Sequence, residues 1–180
     1  MISGDNFQFG HNKIPYSYYF SNYNHIWGWA SWRRAWQYYD VNMNLWPEVR
    51  DKGELSNILA KREVPYWTTI FEKIYQDRID TWDYQWTFAC WIQNGLSILP
   101  CKNLVQNIGF GEEAAHTKNP GALNMPGAEM MPFPLKHPPV VILNKKADNF
   151  TFQNHLKISF INLLKRKLFY LYERFTKKNS

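Results

Sequence analysis

All nine tryptophans of this 180-residue chain fall between Trp27 and Trp91, and no other feature of the sequence constrains its fold as strongly. An indole brings a large apolar face and an N–H that needs a partner once it leaves water. With 11 Tyr and 12 Phe, aromatic residues reach 18% of the chain, more than an ordinary core requires. Two readings stay open. The tryptophans form a dense core, or some of them line a wet cleft, where flat rings carrying a donor suit sugar rings.

Charge is segregated as sharply as the tryptophans. Residues 1–144 carry 12 Lys+Arg and 13 Asp+Glu, whereas residues 145–180 carry 9 and 2. The net charge of +6 therefore belongs to the last stretch. A near-neutral body argues against a distributed nucleic-acid patch, so no nucleic acid is expected as a partner. At 45% hydrophobic and 20% charged, the chain is globular rather than disordered. Cys90 and Cys101 are too few for a disulfide framework or a zinc site, and Cys90, among Phe88, Ala89 and Trp91, is expected as a buried thiol. Met1–Asn12 has neither the charged nor the apolar region of a signal peptide, and no stretch approaches the ~20 apolar residues of a membrane span. The expectation is a cytoplasmic protein, soluble or peripheral.

Local patterns place the elements. Residues 1–24 read as loop and short strand, broken by Gly4, Gly10 and Pro15. Trp32, Trp36 and Tyr39 predict a helix capped by Ser31, with Pro47 supporting a break soon after. A helix over about 66–76 follows Pro65, and another over about 82–93 stops at Gly95. Leu96–Leu99 and Leu104–Ile108 read as strands around a Pro-Cys-Lys-Asn turn. The Gly- and Pro-rich residues 109–139 form a long irregular stretch, either functional or poorly ordered. From Asp148 onward Leu156, Phe160, Leu163, Leu164, Leu168, Leu171 and Phe175 predict an amphipathic helix flanked by basic residues. The predicted organisation is thus a body over 1–144 and a basic helical tail over 145–180.

Three segments carry residues suited to chemistry. In Trp82-Asp83-Tyr84-Gln85-Trp86, a carboxylate wedged between aromatics is partly desolvated, as a general base requires. The same Asp83 would fall at the third helical position after an Asp80 cap, where it complements the helix dipole. In Trp27-Gly28-Trp29, the glycine lets backbone approach a ligand or make a tight turn, and Arg33 or Arg34 could pair with phosphate. Aromatic packing with two solvated arginines explains that segment equally. Asn107-Ile108-Gly109-Phe110-Gly111, followed by His116, could form a loop whose imidazole reaches a metal or a diphosphate, or a loop with a solvated histidine.

In order and spacing these segments, with Ile2-Ser3-Gly4-Asp5-Asn6-Phe7 and Tyr19-Phe20-Ser21, resemble the C-terminal half of bacterial nucleotide-diphospho-sugar glycosyltransferases of the GT-A fold. The match is Trp27-Gly28-Trp29-Ala30-Ser31-Trp32-Arg33-Arg34-Ala35-Trp36, then Trp82-Asp83-Tyr84-Gln85-Trp86, then the Gly109/Gly111 loop with His116-Thr117. It covers about residues 2–155, leaving the rest of the tail outside. A looser likeness runs to the N-acetylglucosaminyltransferase-I family. The resemblance implies an α/β fold, the acceptor-side half of a Rossmann-like GT-A domain, with helices, short strands and an added basic helix. It implies sugar transfer from a nucleotide-diphosphate sugar to a glycan or lipid-linked acceptor hydroxyl, with inversion, in cell-surface glycan synthesis. Asp83 would be the base; Trp27, Gly28, Trp29, Arg33, Trp82, Gly109 and Gly111 would border the substrates. A divalent cation, Mn or Mg, would steady the diphosphate, with His116 as a ligand candidate. The DxD motif and nucleotide-binding half of such enzymes do not occur in this sequence, so a partial domain is expected, inactive alone.

The alternative is a non-catalytic module that docks on a membrane surface or a protein partner through exposed aromatics and the tail of residues 145–180. The two readings are compatible. An enzyme using lipid-linked acceptors would sit on the inner face of the membrane, and the tail's excess of cations suits anionic lipid.

Overall fold

In the computed structural model, which describes residues 1–106 and 127–157, the elements run β1 (Tyr18–Ser21), α1 (Arg33–Trp36), α2 (Trp46–Asp51), α3 (Leu55–Ile58), α4 (Val64–Tyr75), α5 (Asp83–Ile92), β2 (Ser97–Pro100) and α6 (Lys145–Thr151). A π-helical turn, Phe152–Leu156, continues α6. The class is mixed α/β, as expected. Among the described residues no helix is long and apolar enough to cross a membrane.

The two strands pair antiparallel, with Tyr18 opposite Pro100 and Ser21 opposite Ser97. Single bridges widen this ribbon on both sides. Ile2 lies between Ile98 and Ala30, and Leu143 lies beside Phe20. The expected partner for β2 was the segment 104–108. Residues 104–106 form no strand, and 107–108 lie outside the described residues. The Leu104 amide instead donates to the Gly4 carbonyl (2.8 Å), and Cys101 donates to Ser17 (2.9 Å), so the chain leaving β2 follows the N-terminal segment.

Helices α4 and α5 form the main core. Tyr66, Trp67, Ile70, Phe71 and Ile74 recur at three- and four-residue steps on one face of α4. They pack with Trp46, Phe88, Trp91 and Phe152. Two of the three indoles here are satisfied, Trp46 Nε1 donating to Glu72 (3.0 Å) and Trp91 Nε1 to the Asn22 carbonyl (2.6 Å). Trp67 Nε1 is buried without a hydrogen-bond partner among the described residues. A second cluster joins Trp86, Ala89, Cys90 and Met1 to Trp29, Ala35 and Tyr39. The dense core accounts for Trp46, Trp67, Trp86 and Trp91, which are buried, while Trp32, Trp36 and Trp82 remain exposed.

Several local expectations shift. The helix expected from a Ser31 cap is reduced to α1, preceded by Trp32 with no side-chain cap. Pro47, read as a breaker, lies in the first turn of α2, where its missing N–H costs nothing. Helix α5 opens at Asp83 itself, after Trp82 rather than an Asp80 cap. Helix α6 begins at Lys145, three residues earlier than expected, because Asn144 Oδ1 accepts from the Ala147 amide (3.0 Å). Cys90 is buried, as expected.

The first part of the basic tail is integral to the body. Ala147 is fully buried, Phe152 joins the main core, and Asp148 accepts from Ser21 Oγ (2.5 Å) and the Asn22 amide (2.9 Å). Gln8, itself buried, donates to the Ala147 carbonyl (3.1 Å) and Thr151 Oγ1 (2.9 Å). Residues 158–180 lie outside the described residues.

Candidate functional site

Two glycines bring the N-terminal segment against the Trp27 turn. The Gly4 amide donates to the Trp27 carbonyl (3.2 Å), and both glycines sit under Val105. A Cβ on Gly28 would lie 2.5 Å from Val105 Cγ1, and one on Gly4 would lie 2.7 Å from the same methyl. Gly28 also has φ +59°, a left-handed conformation that favours glycine. The close approach expected at Gly28 is thus to the protein's own backbone and Val105.

That approach places Asp5 beside His25. Their side chains are 1% and 3% exposed, with Nδ1 3.3 Å from Oδ1. Ser3 Oγ donates to the same Asp5 oxygen (2.6 Å). Both ring nitrogens of His25 are buried and have no hydrogen-bond partner among the described residues. Phe7 packs over the imidazole at 4.4 Å and stacks on His155 at 4.0 Å, tying the N-terminal segment to the turn after α6.

These groups border a cleft of about 190 Å³. At ~30 Å³ per molecule of liquid water, that is room for about six waters or one small ring. Its walls are largely aromatic, from Phe7, Tyr23, Trp27, Trp67 and Tyr84. Its polar residues include Asp5, Asn24, His25, Asp83, Thr87, Thr151 and His155, and among the described residues it has two carboxylates and neither Lys nor Arg.

Asp83 reaches the cleft because it opens α5. Thr81 Oγ1 donates to its carboxylate, and Thr87 Oγ1 donates to its carbonyl (3.0 Å), fixing the first turn. The side chain is half-buried. Burial pushes the neighbouring Tyr84 phenol up, and the charge of Asp83 adds to that shift. Burial likewise pushes His155 down to about 4. The phenol of Tyr84 and the imidazole of His155 are therefore neutral near pH 7. The cleft thus combines a carboxylate, a buried imidazole–carboxylate pair and apolar ring faces.

Of the residues singled out from sequence, Trp27 and Asp83 meet in this cleft. Trp29 and Trp82 stack on each other (4.8 Å) in the adjacent aromatic cluster. Arg33 is exposed on α1 and does not border the cleft. Gly109, Gly111 and His116 lie outside the described residues. Among the described residues no group of three His, Cys, Asp or Glu side chains could hold a metal ion, so the expected cation finds no ligand set there. Sequence reasoning passed over Asp5, His25 and His155. Asp5 and His25 stand beside or close to the glycines that create the close approach, which is the local signal they offered.

Compared with models of known families, with curated proteins and with solved structures, the chain matches none.

Proposed function

We propose that the cleft is the acceptor site of a nucleotide-diphosphate-sugar-dependent glycosyltransferase, and that the chain is the acceptor-side half of a GT-A domain. The observation that supports this reading is Asp83, a carboxylate fixed at the start of α5 in a cleft walled by Trp27, Trp67 and Tyr84. Aromatic faces bind the apolar side of a sugar ring while a carboxylate engages its hydroxyl.

In the proposed reaction Asp83 accepts the proton of the acceptor hydroxyl as its oxygen attacks the anomeric carbon. The bond from that carbon to the diphosphate breaks, and the configuration inverts. A divalent cation would stabilise the departing diphosphate. No step here is assigned through it, because the described residues offer it no ligand set. The acceptor is a glycan or a lipid-linked sugar, and the cations of residues 145–180 would hold the enzyme at the inner face of the membrane.

The test pairs the chain with a DxD-bearing nucleotide-binding half and measures turnover of UDP-, GDP- and dTDP-sugars with simple glycoside acceptors. Asp83→Asn is expected to lower turnover by about 10²–10⁴-fold, the usual contribution of a positioned base. Near-UV circular dichroism should remain unchanged. Full turnover by the Asn variant would overturn the assignment of the base.

A further inference from the structure

His25 is a buried imidazole that nothing in the proposed transfer step uses. Asp5 lies 3.3 Å from Nδ1, an ion-pair contact without the alignment of a hydrogen bond, and its negative charge favours a proton on that nitrogen. Ser3 Oγ holds the carboxylate in turn (2.6 Å), and Phe7 covers the ring at 4.4 Å. These contacts hold the ring, and the carboxylate's charge favours the tautomer that leaves the lone pair on Nε2. That atom is buried and has no partner among the described residues, and His25 is one of the residues lining the cleft. An unpartnered buried acceptor is costly, and an arriving hydroxyl removes that cost.

The charges around the cleft add a second constraint. Asp5 and Asp83 border it, with neither Lys nor Arg among the described residues that line it. A ligand carrying its own carboxylate would meet two like charges without a cation to offset them. A neutral hydroxylated ring meets aromatic faces, an acceptor nitrogen and a carboxylate instead.

We propose that His25, oriented by Asp5, is the specificity-determining contact of this cleft, its Nε2 accepting a hydrogen bond from a hydroxyl of a neutral sugar ring and the site discriminating against uronic acids. The proposal rests on reading the cleft as a sugar site and deepens that reading. It is separable from the role of Asp83, because its measurements need no turnover.

The experiment is long-range ¹⁵N–¹H NMR of the full chain with labelled histidine, titrated with the methyl glycosides of glucose, galactose, mannose, N-acetylglucosamine and glucuronic acid. In the free protein a proton is expected on His25 Nδ1, with the lone pair on Nε2. A neutral glycoside should shift the Nε2 resonance, and the glucuronide should bind at least several-fold more weakly. His25→Phe, which retains an apolar ring, should weaken the neutral glycoside about tenfold, the effect of one lost hydrogen bond. Asp5→Asn offers a carboxamide donor to Nδ1, moves the proton to Nε2 and should weaken binding similarly. This variant keeps the test open if His25→Phe does not fold. A proton on Nε2 in the wild-type protein, no shift with any neutral glycoside, or equal binding of the glucuronide would each overturn the proposal. Loss of turnover in Asp83→Asn alongside a proton on Nε2 would overturn the His25 assignment and leave the base assignment standing.

Discussion

Asp148 and His155, two turns apart, pull stability in opposite directions as pH falls. Burial pushes the Asp148 carboxyl up to about 6 despite the hydrogen bonds from Ser21 and Asn22, and pushes the His155 imidazole down to about 4. The folded protein therefore protonates Asp148 before the unfolded chain, whose carboxyl titrates near 3.8, so its contribution to stability rises as pH falls from about 6 to about 4. For His155 the unfolded chain takes the proton first, near 6.5, so stability is lost as pH falls from there to about 4. Asp148 contributes on the order of 3 kcal/mol across its window, and the half-buried His155 somewhat less because water screens it. The two largely offset each other in the wild-type protein. Relative to wild type, His155→Phe should gain stability as pH falls from about 6 to about 4, because it retains a ring against Phe7 and leaves Asp148 unopposed. Asp148→Asn should lose stability over the same range. Urea midpoints across this interval check both signs. Matching pH profiles for the two variants would show that neither group titrates as its burial dictates.

At the scale of elements, the crossing of the N-terminal segment over the Trp27 turn depends on Gly28 and Val105. Gly28→Ala should be destabilising through two separable effects. A left-handed non-glycine residue costs about 1–2 kcal/mol, and overlap with Val105 Cγ1 at 2.5 Å adds about 1–3 kcal/mol of overpacking. Val105→Ala removes the methyl responsible for the overlap but leaves the backbone strain. The double variant should therefore recover the packing share alone, giving a clear coupling energy in a double-mutant cycle read from urea unfolding. Additive effects would show that Val105 yields without strain. The same element scale explains what was legible in the sequence. Helices α4 and α5 have long apolar periods and were expected within a few residues of their bounds. Helices α2 and α3 are too short to display a period, and Pro47 read as a stop where it begins a helix. The β2 segment is legible as a strand, and local pattern points to the next few residues as its neighbour. The actual partner, β1, is distant in sequence, and local pattern carries no trace of such pairing. The cleft divides similarly. Trp27 and Asp83 stand out within their own segments, whereas the pairing of Asp5 with His25 exists only once Gly4 and Gly28 let two segments meet.

At the scale of the whole molecule, the change in charge and the edge of the packed body do not coincide. Net charge changes sign after residue 144, yet α6 and its π-helical turn carry Ala147, Asp148, Thr151 and Phe152 into the body. The end of α6 and that turn supply Thr151, His155 and Leu156 to the cleft, so one segment closes both core and site. Ending the chain at residue 144 removes Phe152 from the main core, an effect of about 3–5 kcal/mol by comparison with Phe→Ala changes. It also strips partners from buried Gln8 and Ser21, at about 1–3 kcal/mol for each group left unsatisfied. Together these approach the whole stability of a typical domain, about 5–15 kcal/mol. The shortened chain should therefore lose its near-UV tryptophan dichroism and unfold in urea without a cooperative transition. Phe152→Ala in the full chain, which keeps the polar contacts, should remain cooperative while losing about 3–5 kcal/mol. A chain ending at 144 that kept a sharp transition would mean that Gln8, Ser21 and Asn22 find other partners, and that the charge boundary is also the boundary of the fold.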